Sequence, residues 1–257
     1  MTRAHDTVGS VCRRLAPVPL ERVLDLADLQ TRVDRKYLVP ARTFRELLTR
    51  LDGAVSVLDI CGRRVFDYES VYFDTPQLLA YHQHAYGRRR RFKVRTRTYR
   101  DSEQTVLEVK SQGAREETVK DRHPYLCTDR HRLTAPARHV VADRIGDPAL
   151  ARQLQVSLVN RYQRATLVDL AAGSRMTCDV GLEFHRHGRH RTGPDELVVL
   201  ESKTAGHAAP ADLLLWRLGH RPATISKYCV GLALLDPGLP ANRWNRVLRR
   251  RFGWTPG

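Results

Sequence analysis

Arg91-Phe92-Lys93-Val94-Arg95-Thr96-Arg97-Thr98-Tyr99 returns a basic residue at every second position through Arg97, with Phe92 and Val94 between them. Side chains of a strand alternate between the two faces of its sheet, so Arg91, Lys93, Arg95 and Arg97 share one face. The same test, applied outward, repeats the result. In 104–111, Glu108 and Lys110 stand opposite Leu107 and Val109; in 115–122, Lys120 and Arg122 oppose Val119. In 31–39, Arg32, Asp34 and Lys36 oppose Val33, Tyr37 and Val39. Arg164 opposes Ala165 and Leu167, Arg175 and Asp179 oppose Met176, Cys178 and Val180, and Glu201 and Lys203 oppose Val198 and Leu200.

A sandwich with charges outside and apolar residues inside explains any one of these strands. The set points elsewhere. The charges are mostly cationic, and the acids other than Asp179 stand two residues from a Lys, as in Glu108-Val109-Lys110 and Glu201-Ser202-Lys203. A closed barrel gives the same alternation a polar interior and an apolar exterior that helices must cover. The expected fold is therefore α+β, a closed antiparallel β-barrel with flanking helices. A lumen ringed by Arg and Lys is repulsive when empty, and a phosphate chain supplies the missing charge, with Arg gripping oxygens bidentately. On this reading the empty protein is strained, and Arg95→Ala with Arg97→Ala should raise its melting temperature.

The remaining segments frame that barrel. Residues 1–19 read as a flexible arm, 20–236 as the tunnel domain and 237–257 as a basic C-terminal helix or tail. Helices are expected at 41–51, near 76–87, at 136–153, at 210–219 and at 226–235. The net charge of +16 calls for a polyanion: nucleic acid, an anionic membrane face or a phosphate compound. No apolar stretch reaches the length of a membrane span. Five scattered cysteines without a C-x-x-C argue for reduced thiols in a cytoplasmic protein, and against a zinc site or disulfide frame.

Several runs together carry a family resemblance: Arg32-Val33-Asp34-Arg35-Lys36-Tyr37, Tyr68-Glu69-Ser70-Val71-Tyr72-Phe73-Asp74-Thr75, and 91–99. Leu107-Glu108-Val109-Lys110, Tyr162-Gln163-Arg164-Ala165, Leu200-Glu201-Ser202-Lys203 and Ser226-Lys227-Tyr228 follow in order. Over about residues 20–236 the chain resembles the VTC (vacuolar transporter chaperone) polyphosphate polymerase domain, one of the triphosphate tunnel metalloenzymes. The resemblance implies an eight-stranded tunnel that moves the γ-phosphate of ATP onto a growing polyphosphate chain with Mn2+ or Mg2+. It implies that Lys36, Arg95, Arg97, Lys110, Lys120, Arg164, Arg175 and Lys227 hold phosphates and that Glu201 holds the metal; Lys93 and Lys203 are expected to contact the cofactor. Two positions depart from the pattern: Thr224 replaces a Lys, and Asp34 stands where related tunnel enzymes often use Glu.

Other features have narrower readings. Gly87-Arg88-Arg89-Arg90-Arg91 is either a funnel for polyanion or a solvated basic turn. His185, His187 and His190 flank Gly188, but neighbouring arginines argue against a cation there. Tyr72, Phe73 and Asp74 read as packing and turn residues. Two rivals to the polymerase remain, a metal-dependent triphosphatase and a non-catalytic polyphosphate-binding module. Nucleic acid is not the expected partner, because the cations lie at period two on strands and no nucleic-acid signature occurs. A membrane-protein partner is left open.

Overall fold

The computed structural model describes residues 3–25, 33–112 and 118–256. Its elements begin with α1 (Ala4–Arg14), β1 (Ala16–Val18), α2 (Leu20–Asp25), β2 (Val33–Pro40), α3 (Ala41–Arg50), β3 (Ser56–Leu58) and β4 (Phe66–Asp74). Then come α4 (Leu79–Ala85), β5 (Arg91–Tyr99), β6 (Gln104–Gln112), β7 (Thr118–Tyr125), α5 (Ala135–Ile145) and α6 (Pro148–Gln153). The chain ends through β8 (Gln155–Asp169), β9 (Ser174–Arg186), β10 (Arg189–Thr192), β11 (Leu197–Thr204), α7 (Pro210–Arg217), α8 (Lys227–Leu235) and α9 (Asn245–Phe252). Arg32 and residues 115–117, which the sequence reading places on strands, lie outside the described residues.

The fold is α+β with a large sheet, hydrogen bonded in the order β2-β11-β9-β8-β4-β5-β6-β7. The main neighbours are antiparallel; β1 and β3 pair in parallel, and β3 and β10 join β8 and β9. The expected closed barrel is corrected: among the described residues β2 and β7 end the path and the sheet stays open. The sequence of β7 explains its part in this. It carries Pro124, which has no N–H to give, and Lys120, Asp121 and Arg122, charges of the kind that discourage edge pairing.

The chain divides into two compact units. The first comprises Met1–Phe66, Tyr162–Leu182 and Gly193–Thr224; the second comprises Asp67–Arg161, Glu183–Thr192 and Ile225–Gly257. Strands β8 and β9 contribute to both. The first unit packs Tyr37, Val39, Cys178, Val180, Val198 and Leu200 against α1, α3 and Leu215 of α7. The second packs Phe92, Val94, Leu107 and Val109 against Ala137, Val141 and Ala142 of α5 and Ala151 of α6. In each, most residues assigned to the apolar face by alternation form the core; Val33 and Val119, near strand ends, are exposed instead.

Two local readings change. Residues 4–18, expected as a loose arm, form α1 and β1, because Ala4, Val8 and Cys12 recur at four-residue spacing and bury one helix face. Val8→Asp should therefore lower stability by at least the about 1.5–3 kcal/mol that burying such a side chain supplies. An unchanged denaturation midpoint would restore the loose arm. The expected helix 136–153 is split: Gly146 ends α5 in a left-handed conformation, and Asp147 caps α6 by accepting from Leu150 N, with Pro148 following.

Candidate functional site

In the second unit the register aligns cations across three strands. Lys93 pairs with Lys110 and Lys110 with Lys120; Arg95 pairs with Glu108 and Glu108 with Arg122. Side chains directly opposite on paired strands share a face, so these six residues, with Arg97, form one charged surface. Its centre is Glu108, only 2% exposed. Its carboxylate receives Arg95 at 2.5 Å and Lys120 at 2.8 Å, with Arg122 at 3.5 Å and Arg97 at 3.8 Å. Burial pushes the carboxyl pKa up, but Arg95, Arg97 and Lys120 outweigh it, so Glu108 titrates far below the usual range. Lys120 is pushed down to about 8, by burial first, with Arg95 and Arg97 adding to it against the pull of Glu108.

The buried anion reverses one expectation. Removing Arg95 and Arg97 takes two cations away from Glu108, so that double variant is now expected to melt lower, not higher, than the parent.

Tyrosines position this face. Arg95 donates to the Tyr72 hydroxyl at 3.0 Å, and the Tyr72 ring stacks on Tyr228 at 4.9 Å between centroids. The Tyr228 hydroxyl donates to Asp74 at 2.5 Å. Asp74 also accepts from the backbone N–H groups of Thr75, Ala80 and Tyr81, tying β4 to the start of α4. These are the packing and turning roles expected for Tyr72 and Asp74. They also fix α8, whose first residue is Lys227 behind the N-cap Ser226. Lys227 thus stands at a helix N-terminus and not on the sheet.

In the first unit, Lys36 lies opposite Glu201, and Lys203 lies opposite Asp34 on one side and Arg175 on the other. Lys36 and Lys203 approach Glu201 Oε1 at 2.8 and 3.2 Å, and Lys203 reaches Asp34 at 3.2 Å. Arg164 donates through Nε and Nη2 to the two oxygens of Asp179 at 2.6 and 2.9 Å, a bidentate fork. Burial raises the Glu201 pKa, yet Lys36 and Lys203 carry it well below the usual range. Lys36, Arg164, Arg175, Glu201 and Lys203 therefore belong to this unit, and Lys93, Arg95, Arg97, Lys110, Lys120 and Lys227 to the other.

One charged cluster escapes period-two reading. Glu69 is nearly buried and receives Arg161 at 2.8 Å, Arg130 at 3.1 Å and His131 at 3.3 Å. It shares its face with Val71 and Phe73, on the apolar side of β4, and Arg130 and His131 come from a loop distant in sequence. Only its place inside the motif 68–75 marked it.

A model of the VTC domain matches residues 31–236. The chain belongs to the VTC domain family. Membership links this VTC domain protein to polyphosphate and triphosphate chemistry. Among solved structures, a Hippeastrum protein described as a candidate adenylyl cyclase with a dominant triphosphatase activity is 17% identical. The alignment covers 78% of this chain and 95% of that one, with a TM-score of 0.49. A candidate adenylate cyclase from Vibrio parahaemolyticus is 12% identical over 77% of this chain and 95% of its own, with a TM-score of 0.44. A Pyrococcus horikoshii protein gives 12%, 77%, 95% and 0.41. No curated protein matches the chain.

Proposed function

We propose that this chain is a polyphosphate polymerase that transfers the γ-phosphate of ATP to the end of an inorganic polyphosphate chain. The observation that carries the reading is the three-strand cationic face around Glu108, joined to membership of the VTC domain family. Arg95, Arg97, Lys93, Lys110 and Lys120 on that face, and Lys36, Arg164, Arg175 and Lys203 in the first unit, are the proposed phosphate ligands. Lys227 adds a cation to the N-terminus of α8, where backbone N–H groups already favour anions.

We propose Glu201 as the ligand of a divalent cation, for which Lys36 and Lys203 must make room by turning to phosphate. The carboxylate is ionised, both lysines meet it on Oε1, and Asp34 lies against the same Lys203. Such a sparse oxygen donor set suits Mg2+ or Mn2+ that takes further ligands from phosphate and water. When bound, the ion neutralises charge on the phosphoryl oxygens. The protein's own contribution is positioning: arginines hold the donor oxygens, Lys36 and Lys203 exchange their carboxylate contacts for phosphate, and Tyr72 orients Arg95. The acceptor is already an anion, so no side chain has to remove a proton.

Purified protein given ATP and Mn2+ should make a polyphosphate ladder on a gel that exopolyphosphatase removes. Free phosphate as the sole product would replace the polymerase by a triphosphatase, and no turnover of any triphosphate would leave a binding module. The lowered Lys120 pKa adds a pH test. Only the protonated amine attracts phosphate, so tripolyphosphate affinity should be highest below pH 8 and fall as pH rises through about 8. Lys120→Met should remove that step; the same step surviving in the variant would assign it to another group.

A further inference from the structure

We propose that Glu183, His185 and His190 form a transition-metal site of the zinc type on the β9–β10 hairpin. The three offer ligand atoms that all lie within 4.8 Å of one another. His185 and His190 are directly opposed in the antiparallel ladder, with ring centroids 4.4 Å apart and an interplanar angle of 20°. Glu183 is two residues before His185 and so on the same face, its Oε2 at 3.3 Å from His185 Nε2. Ligands about 2.1 Å from a tetrahedral zinc stand about 3.4 Å apart, so small side-chain rotations close the set.

By sequence alone, neighbouring arginines argue against a cation here. The register removes that objection. Arg186 pairs with Arg189 and Phe184 with Arg191, so these residues occupy the other face of the hairpin. There Phe184 is fully buried, Arg189 donates to the Leu235 carbonyl at 3.2 Å, and Arg186 lies 3.8 Å from Asp236. His187 and Gly188 form the turn with φ of 45° and 74° and take no part in the cluster. His190 is exposed and the other two are half-buried, which leaves a path for an ion and room for water as a further ligand.

Two imidazoles and one carboxylate favour Zn2+, Ni2+ or Cu2+ over the hard cations suited to Glu201. Bound there, the ion clips β9 to β10, the hairpin whose other face packs on the end of α8. The test is calorimetric titration of tag-free protein with Zn2+, beside thermal melts. One equivalent should bind at the hairpin and raise the melting temperature, and His185→Ala with His190→Ala, which removes two of three ligands, should weaken that event by more than the roughly 10–100-fold that losing an outer-shell partner costs. Glu183→Gln, a near-isosteric change, should weaken it less and serves if the double variant fails to fold. Cys61→Ser should bind as the parent does. Absence of zinc binding by the parent, unchanged binding in both hairpin variants, or loss on changing Cys61 would overturn the site.

Discussion

Glu108→Gln should lower the unfolding free energy by about 3–5 kcal/mol, the usual penalty for breaking a buried ion pair from one side. The substitution keeps the shape and removes only the charge that gathers Arg95, Arg97, Lys120 and Arg122. Those cations would then need another anion. Tripolyphosphate, compared with orthophosphate at equal ionic strength, should stabilise the variant more than it stabilises the parent. For scale, a ligand at a hundredfold excess over its Kd stabilises the folded state by about 2.7 kcal/mol. The pH dependence follows with its sign. A carboxyl whose pKa is depressed by folding contributes stability above its unfolded value, about 4.3, and loses that contribution as pH falls toward the folded value. The parent should therefore lose stability from below about pH 4.3, and the Gln variant should show a shallower decline. Urea denaturation across pH, with and without tripolyphosphate, reads both effects. A variant as stable as the parent would mean that Glu108 does not organise these cations.

Glu201→Gln should separate chemistry from binding. If Glu201 is the metal ligand, its loss should reduce turnover by on the order of 10²–10³, as the removal of one preorganised charge-stabilising group does. Triphosphate binding should survive, because Lys36 and Lys203 lose a competing anion and remain available to phosphate. The parent should require Mn2+ or Mg2+, and chelation should mimic the substitution. Full activity of the variant across a metal titration would remove Glu201 from the metal site.

What was legible in the sequence was legible for a physical reason. Strand alternation has a fixed period, so Arg95, Lys110, Lys36 and Glu201 could be assigned to charged faces, and Val94, Val109 and Leu200 to the cores. The same logic missed Glu69, a carboxylate set on an apolar face and satisfied by partners remote in sequence. It also did not show that Glu108 and Asp179 neutralise the arginines, because cross-strand register is not written in a single strand. Closure of the sheet failed for a related reason. Alternation says which side chains share a face, but whether the two end strands meet depends on edge properties such as Pro124 and its charged neighbours. The α1 pattern, Ala4, Val8 and Cys12, was present in the sequence but hidden among polar residues.

Each cationic face is proposed to bind phosphate, and titration with tripolyphosphate measures that binding. Isothermal calorimetry at fixed ionic strength should show saturable binding to the parent, much weaker binding of orthophosphate, and weaker binding when Arg95→Ala or Arg164→Ala is introduced. Each of those changes removes a charge-assisted contact worth about 1.5–3 kcal/mol, or roughly 10- to 150-fold in affinity. Equal tripolyphosphate affinity in the parent and both variants, or an equally charged single-stranded oligonucleotide binding as tightly, would contradict the account.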